Sequence, residues 1–286
     1  MNRSSGLGRP VCGSREAPHP FSPPSSNILH LMLGRIIQES LRTSTSAARL
    51  AFVGVAAPPR SGKKILGMLE KMPIMIERLT IPGPAGPLEA LLEWDPERPA
   101  PLAVLVCHPH PLFGGTMHNK VVYRAAKGAL VAGAVTLRFN FRGVGNSGGG
   151  YDSGIGERDD ARAALDYLSG RFPTLPLAMI GFSFGSLVAL AVGASDERVR
   201  WLVGLGLPVE SSDFSFLGDC RKPKLIVQGT MDPFGPREKL KKVFDTFAEP
   251  KELRWVEGVD HFFTGKLEEV QSAVEKFLAG AAKRPK

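Results

Sequence analysis

The sequence predicts an α/β fold with a mostly parallel, eight-stranded twisted sheet and helices on both faces of that sheet. Short apolar runs rich in β-branched residues recur along the chain, and segments with helical spacing separate most of them. Strands that alternate with helices pair in parallel through right-handed crossovers. A serine between two glycines, where one strand is followed by a helix, marks the candidate functional site.

The predicted strands are short and apolar. They span residues 74–80, 88–94, 102–107, 134–140, 177–182, 199–207, 224–229 and 251–257. Pro82-Gly83-Pro84 joins the first two strands and is too short for a helix. We therefore expect these two strands to form an antiparallel pair.

Amphipathic helices are predicted between most of the later strands. Apolar residues recur at helical spacing over residues 121–130, 161–168, 243–247 and 267–278. Only the join between the sixth and seventh strands lacks a clear helix. The segment from Pro208 to Lys222 is too short to form a domain of its own.

Residues 177–190 contain the most informative motif of the chain. An apolar strand is followed at once by a run of small, helix-forming residues, and Ser183 lies at the join. Any side chain at Gly181 or Gly185 would collide with the neighbouring strand or helix, and the tight turn holds the serine hydroxyl above the sheet edge. The N-terminal N–H groups of the helix favour negative charge there. The arrangement suits a nucleophile, although the motif alone also fits a glycine-rich turn with an incidental serine.

An acid and a base follow the serine in the chain. Asp232 lies three residues after the strand break at Gly229, and His261 lies three residues after the break at Gly258. Loops at the carboxyl ends of parallel strands converge, and ligands bind there. Taken alone, Asp232 fits an ordinary Asp-Pro turn and His261 fits a solvated loop histidine. Taken together, the order Ser, Asp, His at the ends of strands predicts a nucleophile, an acid and a base.

Three further segments carry a family resemblance. They are residues 102–122 (LAVLVCHPHPLFGGTMHNKVV), 137–149 (LRFNFRGVGNSGG) and 154–168 (GIGERDDARAALDYL). With the serine motif they resemble the α/β-hydrolases, in particular a small bacterial subgroup related to dienelactone hydrolases. The similarity covers roughly residues 74–279. Asn140 stands where many relatives carry an aspartate. This difference does not affect the assignment of Ser183, Asp232 and His261.

The resemblance implies a serine hydrolase that cleaves carboxylic ester bonds of small substrates through an acyl-enzyme intermediate. Ser183 is then the nucleophile, His261 the general base and Asp232 the residue that orients it. In this family the backbone N–H after the nucleophile, here that of Phe184, and one from the loop after the third strand form the oxyanion hole. The second donor aligns best with His110, and Leu112 or Phe113 is the fallback. No cofactor or metal is needed.

Alternatives remain open at this stage. Small-peptide peptidases and dienelactone-type hydrolases share the same core, and a non-catalytic binding protein can retain the fold. Should Asp232 not be the acid, Asp213 after the sixth strand is the first replacement, because some relatives carry their acid near that strand end. Many relatives also insert a lid domain after the sixth strand, and the short segment here predicts an open cleft without a large lid.

The remaining histidines and the cysteines predict no metal site and no disulfide framework. His108, His110 and His118 cluster in sequence, but prolines follow the first two and no carboxylate lies close by. Cys107 falls within a predicted buried strand, where a thiol acts as a small apolar filler. The three cysteines of the chain fit a reducing compartment, so the expected location is cytoplasmic.

Charge is unevenly distributed. The chain carries a net charge of +8, and residues 1–71 alone hold ten Lys and Arg against three Asp and Glu. The rest of the chain is nearly neutral, which argues against a nucleic-acid partner. The expected partner is a small ester or amide substrate, without a membrane, and the sequence leaves the oligomeric state open.

Residues 1–71 differ from the rest in composition, being basic and rich in serine and proline. They fit a transit-type targeting segment, a disordered extension or an upstream stretch translated from a start assigned too early. Met72 directly precedes the first strand, which favours the last interpretation. The apolar piece at 50–57 is too short to span a membrane. We therefore expect a single domain over residues 72–286.

Overall fold

The eight-stranded sheet predicted from the sequence is present in the computed structural model, which describes residues 73–282. The expectations for residues 1–71 fall outside this range. The strands are β1 (Met75–Gly83), β2 (Gly86–Trp94), β3 (Ala103–Cys107), β4 (Val135–Phe139), β5 (Leu177–Phe182), β6 (Val199–Leu205), β7 (Lys224–Gly229) and β8 (Lys251–Val256). The helices are α1 (Lys120–Val131), α2 (Gly156–Arg171), α3 (Phe184–Ser195), α4 (Arg237–Asp245) and α5 (Leu267–Ala282).

The sheet is mostly parallel. Its order is β1-β2-β4-β3-β5-β6-β7-β8. The β1–β2 and β2–β4 pairs are antiparallel, and all other pairs are parallel. The first hairpin is tighter than predicted, because Gly83 pairs with Gly86 and leaves only two residues in the turn.

Helices cover both faces of the sheet. Alternate residues of β5, namely Ala178, Ile180 and Phe182, belong to the apolar core that includes α1 and α5. On the other face α2 packs beside α3, and Met179 lies against Gly193 of α3. This alternation follows from the two-residue period of a strand, which points successive side chains to opposite faces.

The join between β6 and β7 contains no lid domain. Its only regular structure within the described chain is a short 3₁₀ helix, Ser215–Gly218. The carboxyl ends of the parallel strands β3, β5, β7 and β8 lie at the same edge of the sheet, where their loops meet.

Candidate active site

Ser183 occupies a strained turn between β5 and α3. Its backbone has φ 56° and ψ −123°, in the positive-φ region that residues with a side chain rarely adopt. A hydrogen bond fixes this turn to the neighbouring strand, because the Ser183 N–H donates to the carbonyl of Leu205 on β6 at 2.9 Å. Strain of this kind persists only where the surrounding structure enforces it, and here it lifts the hydroxyl out of the sheet edge.

The two glycines around the serine are required by close backbone approach, which confirms the prediction. A Cβ atom added at Gly181 would lie 2.0 Å from the carbonyl oxygen of Gly185. One added at Gly185 would lie 2.3 Å from the carbonyl oxygen of His108 and 2.5 Å from that of Cys107. The helix after the serine therefore starts in direct contact with the end of β3.

Ser183, His261 and Asp232 form one hydrogen-bonded chain. The Ser183 Oγ lies 2.9 Å from Nε2 of His261, and Nδ1 of His261 lies 2.7 Å from Oδ2 of Asp232. His261 and Asp232 are buried, whereas Ser183 is partly exposed. The alternative acid, Asp213, is exposed and accepts from the N–H and hydroxyl of Ser215 instead.

The Asp232 carboxylate is fixed by further donors. The amide Nε2 of Gln228 donates to its Oδ2 at 2.7 Å, and the Phe234 N–H donates to its Oδ1 at 2.8 Å. Gln228 in turn accepts from the Leu207 N–H at 2.7 Å. Gln228 was not predicted as a site residue, although a glutamine at the end of a buried strand is a usable signal, since a buried amide requires partners.

The backbone N–H groups of Phe184 and His110 are the expected oxyanion donors. Phe184 is the first residue of α3, where an N–H has no acceptor within the helix. Within residues 73–282 neither its N–H nor that of His110 donates to another group. The rings of these two residues lie 5.0 Å apart, so the loop after β3 contacts the start of α3.

His110 is held by a neighbouring loop. Its Nδ1 accepts from the Leu112 N–H at 3.2 Å, and its Nε2 lies 3.1 Å from the Tyr151 hydroxyl. The imidazole also packs against the rings of Phe113 and Tyr151, with centroids 4.6 and 4.9 Å away. Tyr151 was not singled out from the sequence, because it lies in a loop whose path the local pattern does not specify.

His108 has a structural role. It is buried, its Nδ1 donates to the Pro109 carbonyl at 2.6 Å, and its Nε2 accepts from the Phe141 N–H at 3.0 Å. Burial lowers the pKa of this histidine to about 4, so the ring is neutral near pH 7. Both nitrogens are thus occupied, and no three metal-binding side chains come together within the described part of the chain.

Buried charges fix the loop between β4 and α2, which carries Tyr151. Arg142 donates through Nε and a terminal nitrogen to the carboxylate of Asp160, which is fully buried. The Glu157 carboxylate, also buried, accepts the N–H groups of Asp152 and Gly154. Both acids come from the first turns of α2, so that helix determines the position of the loop.

Phenyl rings surround His261. The rings of Phe182, Phe234 and Phe262 have centroids 5.1, 4.7 and 5.4 Å from its imidazole. Phe182 is buried at the end of β5, whereas Phe262 is exposed beside the histidine. The imidazole of His261 therefore lies in a mostly apolar environment, and the exposed Phe262 connects this environment to solvent.

Comparison with known proteins agrees with this geometry. Residues 113–284 match the family model described as an alpha/beta hydrolase domain, and the chain belongs to the α/β-hydrolase family. An uncharacterized protein of Rickettsia prowazekii (strain Madrid E) is 38% identical over 205 residues, which cover 68% of this chain and 86% of that protein.

Solved structures give a more specific likeness. An alpha-beta serine hydrolase homologue from Coxiella burnetii is 38% identical with a TM-score of 0.67, over 70% of this chain and 96% of that chain. A Xanthomonas campestris protein described as a serine hydrolase without lid is 33% identical with a TM-score of 0.68, over 74% of this chain and 97% of that chain. These likenesses support a hydrolase.

Among the helices of residues 73–282, none has both the length and the apolar character needed to cross a bilayer. The 16-residue helices α2 and α5 are the longest of them.

Proposed function

We propose that the protein is a serine esterase that hydrolyses carboxylic esters of small substrates through an acyl-enzyme intermediate. The observation that carries this proposal is the hydrogen-bonded chain from Ser183 through His261 to Asp232, with the serine raised on a strained turn. This combination supplies a nucleophile, a base within reach of its proton and a group that orients the base.

The first half of the reaction acylates the serine. Ser183 Oγ attacks the ester carbonyl carbon, and its proton passes to Nε2 of His261, 2.9 Å away. The buried Asp232 carboxylate stabilises the imidazolium that forms. The C–O bond to the alcohol then breaks, and the leaving alcohol oxygen takes the proton from Nε2.

The second half releases the acid. Water attacks the acyl carbon while His261 accepts one of its protons; the bond from the acyl carbon to Oγ then breaks, the carboxylic acid leaves, and Oγ takes the proton from Nε2. In both halves the N–H groups of Phe184 and His110 are assigned to the negatively charged carbonyl oxygen. Each such donor contributes about 3–4 kcal/mol to the transition state in comparable sites.

The test is the Ser183→Ala variant, measured with p-nitrophenyl butyrate and with a fluorophosphonate probe. We expect loss of both turnover and labelling, with the Tm within a few degrees of the parent because the hydroxyl is partly exposed. Ser195→Ala is the matched control, since Ser195 lies at the other end of the same helix and, among residues 73–282, its hydroxyl bonds only to the carbonyls of Ala191 and Val192. It should keep full activity.

Two outcomes would contradict the proposal. Substantial turnover in Ser183→Ala would show that another group is the nucleophile. Faster hydrolysis of butyryl p-nitroanilide than of p-nitrophenyl butyrate would show that the enzyme is an amidase and would favour the peptidase alternative.

A further inference from the structure

Exposed apolar side chains concentrate at the candidate active site. Large hydrophobic residues are rarely exposed in groups unless a surface binds something. Within residues 73–282 the structure exposes seven of them, and four lie in the loops that carry or adjoin the site residues: Leu112, Ile155, Met231 and Phe262. The loops at the candidate site therefore expose apolar side chains, and one of them, Phe262, contacts the imidazole of His261.

The chemistry of the proposed reaction assigns different roles to these loops. His261 Nε2 must reach the leaving oxygen, so the alcohol portion of an ester lies next to the imidazole. The proposed oxyanion donors are the backbone N–H groups of Phe184 and His110, whose rings pack on each other and on the ring of Tyr151. Leu112, two residues after His110 and 64 % exposed, belongs to this oxyanion-side loop.

The side next to His261 is built from apolar groups. Phe234 and Phe262 contact the imidazole with centroid distances of 4.7 and 5.4 Å. Phe262 is 36 % exposed, and Met231, which precedes Asp232, is 68 % exposed. We call Met231, Phe234 and Phe262 the alcohol-side surface.

The charged groups of the two loops that carry this surface have partners within the protein. Glu257 pairs with Arg237 at 3.3 Å, and Lys266 donates to the Glu257 carbonyl at 2.9 Å. Asp260 accepts from the N–H groups of Phe262 and Thr264. An anionic alcohol would be repelled by the exposed carboxylate of Asp260, whose donors are neutral, and a cationic alcohol would be repelled by the imidazolium that forms in the reaction.

We propose that the preferred substrates are esters of uncharged, apolar alcohols, and that the alcohol-side surface binds the alcohol portion. This inference rests on the proposed esterase function. When the tetrahedral intermediate collapses, the electron pair of the C–O bond goes to the alcohol oxygen and the proton of His261 Nε2 follows. The neutral alcohol then leaves along Phe234 and Phe262, and no other reactant is required.

The experiment compares three butyrate esters by kcat/KM on the full chain. 3,3-Dimethylbutyl butyrate and butyrylcholine have alcohols of the same shape that differ in charge, and ethyl butyrate is the short reference. We expect the dimethylbutyl ester to exceed each of the others by about tenfold or more, the scale of a few buried methyl groups.

Variants locate the effect. Phe262→Ala should lower the dimethylbutyl-to-ethyl ratio of kcat/KM about tenfold, since most of the apolar contact is lost. Leu112→Ala, a truncation of a still more exposed apolar residue in the oxyanion-side loop, should leave that ratio within twofold. Ile76→Ala on β1, 58 % exposed and remote from the site, controls for the loss of any exposed apolar group and should keep all three rates. Thermal unfolding checks that each variant is folded.

The possible failures are distinguishable. Equal rates on the three esters, or a ratio that falls in Leu112→Ala and not in Phe262→Ala, would overturn the alcohol assignment and leave the esterase function standing. A preference for butyrylcholine would also overturn it and would indicate cation–π binding by the phenyl rings. Absence of hydrolysis of every ester would overturn both proposals.

Discussion

The neighbours of the His110 imidazole decide which of its nitrogens carries the proton. The Leu112 N–H can only donate, so Nδ1 must accept and Nε2 must carry the hydrogen, which it donates to the Tyr151 oxygen at 3.1 Å. Burial lowers the pKa of His110 to about 4, which keeps the ring neutral near pH 7. Tyr151 thereby fixes the residue whose backbone N–H we assign to the oxyanion hole.

Tyr151→Phe tests this positioning role. The variant keeps the ring that packs on His110 and Phe184 but removes the acceptor of the His110 Nε2 hydrogen. We expect kcat to fall by a few-fold, up to about tenfold, which corresponds to one hydrogen bond, with KM nearly unchanged. Tyr123→Phe, on α1 and exposed, is the matched control and should leave both constants unchanged. An increase in KM alone would show that Tyr151 contacts the substrate instead.

At the scale of elements, the approach of α3 to the end of β3 decides where the nucleophile lies. The start of the helix lies against the carbonyls of Cys107 and His108, and only a residue without a side chain fits at Gly185. The same contact brings the oxyanion-side loop beside Ser183. One pair of elements thus determines both the position of the serine and that of the loop after β3.

Gly185→Ala should destabilise the protein strongly. Its Cβ would lie 2.3 Å from a backbone oxygen that cannot rotate away, so we expect the free energy of unfolding to fall by about 2–3 kcal/mol or more. Gly170→Ala in α2 is the control, since nothing lies within 4 Å of its added Cβ and alanine favours a helix. Urea denaturation should show a loss for the first variant and a gain of about 0.4–1 kcal/mol for the second. Equal stability of both variants would contradict the close-contact argument.

The strands and the order of site residues could be predicted because they depend on local patterns. Apolar runs predicted all eight strands, and the glycine breaks after β7 and β8 indicated Asp232 and His261. Contacts between loops could not be predicted in this way. Tyr151 bonds to His110, 41 positions earlier in the chain, and the sequence of residues 140–156 has no periodicity from which the path of this loop could be predicted.

At the scale of the whole molecule, the parallel sheet gathers residues that are distant in sequence. Ser183 and His261 are 78 positions apart, and Asp232 and His261 are 29 apart, yet hydrogen bonds join them. Each follows the carboxyl end of a parallel strand, and β5, β6, β7 and β8 are successive neighbours in the sheet. The site is therefore a property of residues 73–282, which contain all of these elements.

A chain that begins at Met72 should therefore fold and keep the proposed esterase activity. All eight strands and all five candidate site residues lie after this position. We expect kcat/KM on p-nitrophenyl butyrate within about twofold of the full chain and a Tm within a few degrees. A large loss of activity or stability would show that residues 1–71 contribute to the domain and would exclude the interpretation that translation starts at Met72.

The candidate catalytic residues follow strand ends, whereas the exposed apolar side chains belong to the loops, and this separation affects how the protein can be altered by mutation. The reactive groups follow strand ends and are mostly buried, whereas Leu112, Ile155, Met231 and Phe262 are exposed. Replacing exposed residues usually alters stability by less than about 0.5 kcal/mol. These four positions can therefore accept many side chains without disturbing the hydrogen-bonded chain of Ser183, and a small library restricted to them is the shortest route to new substrate preferences.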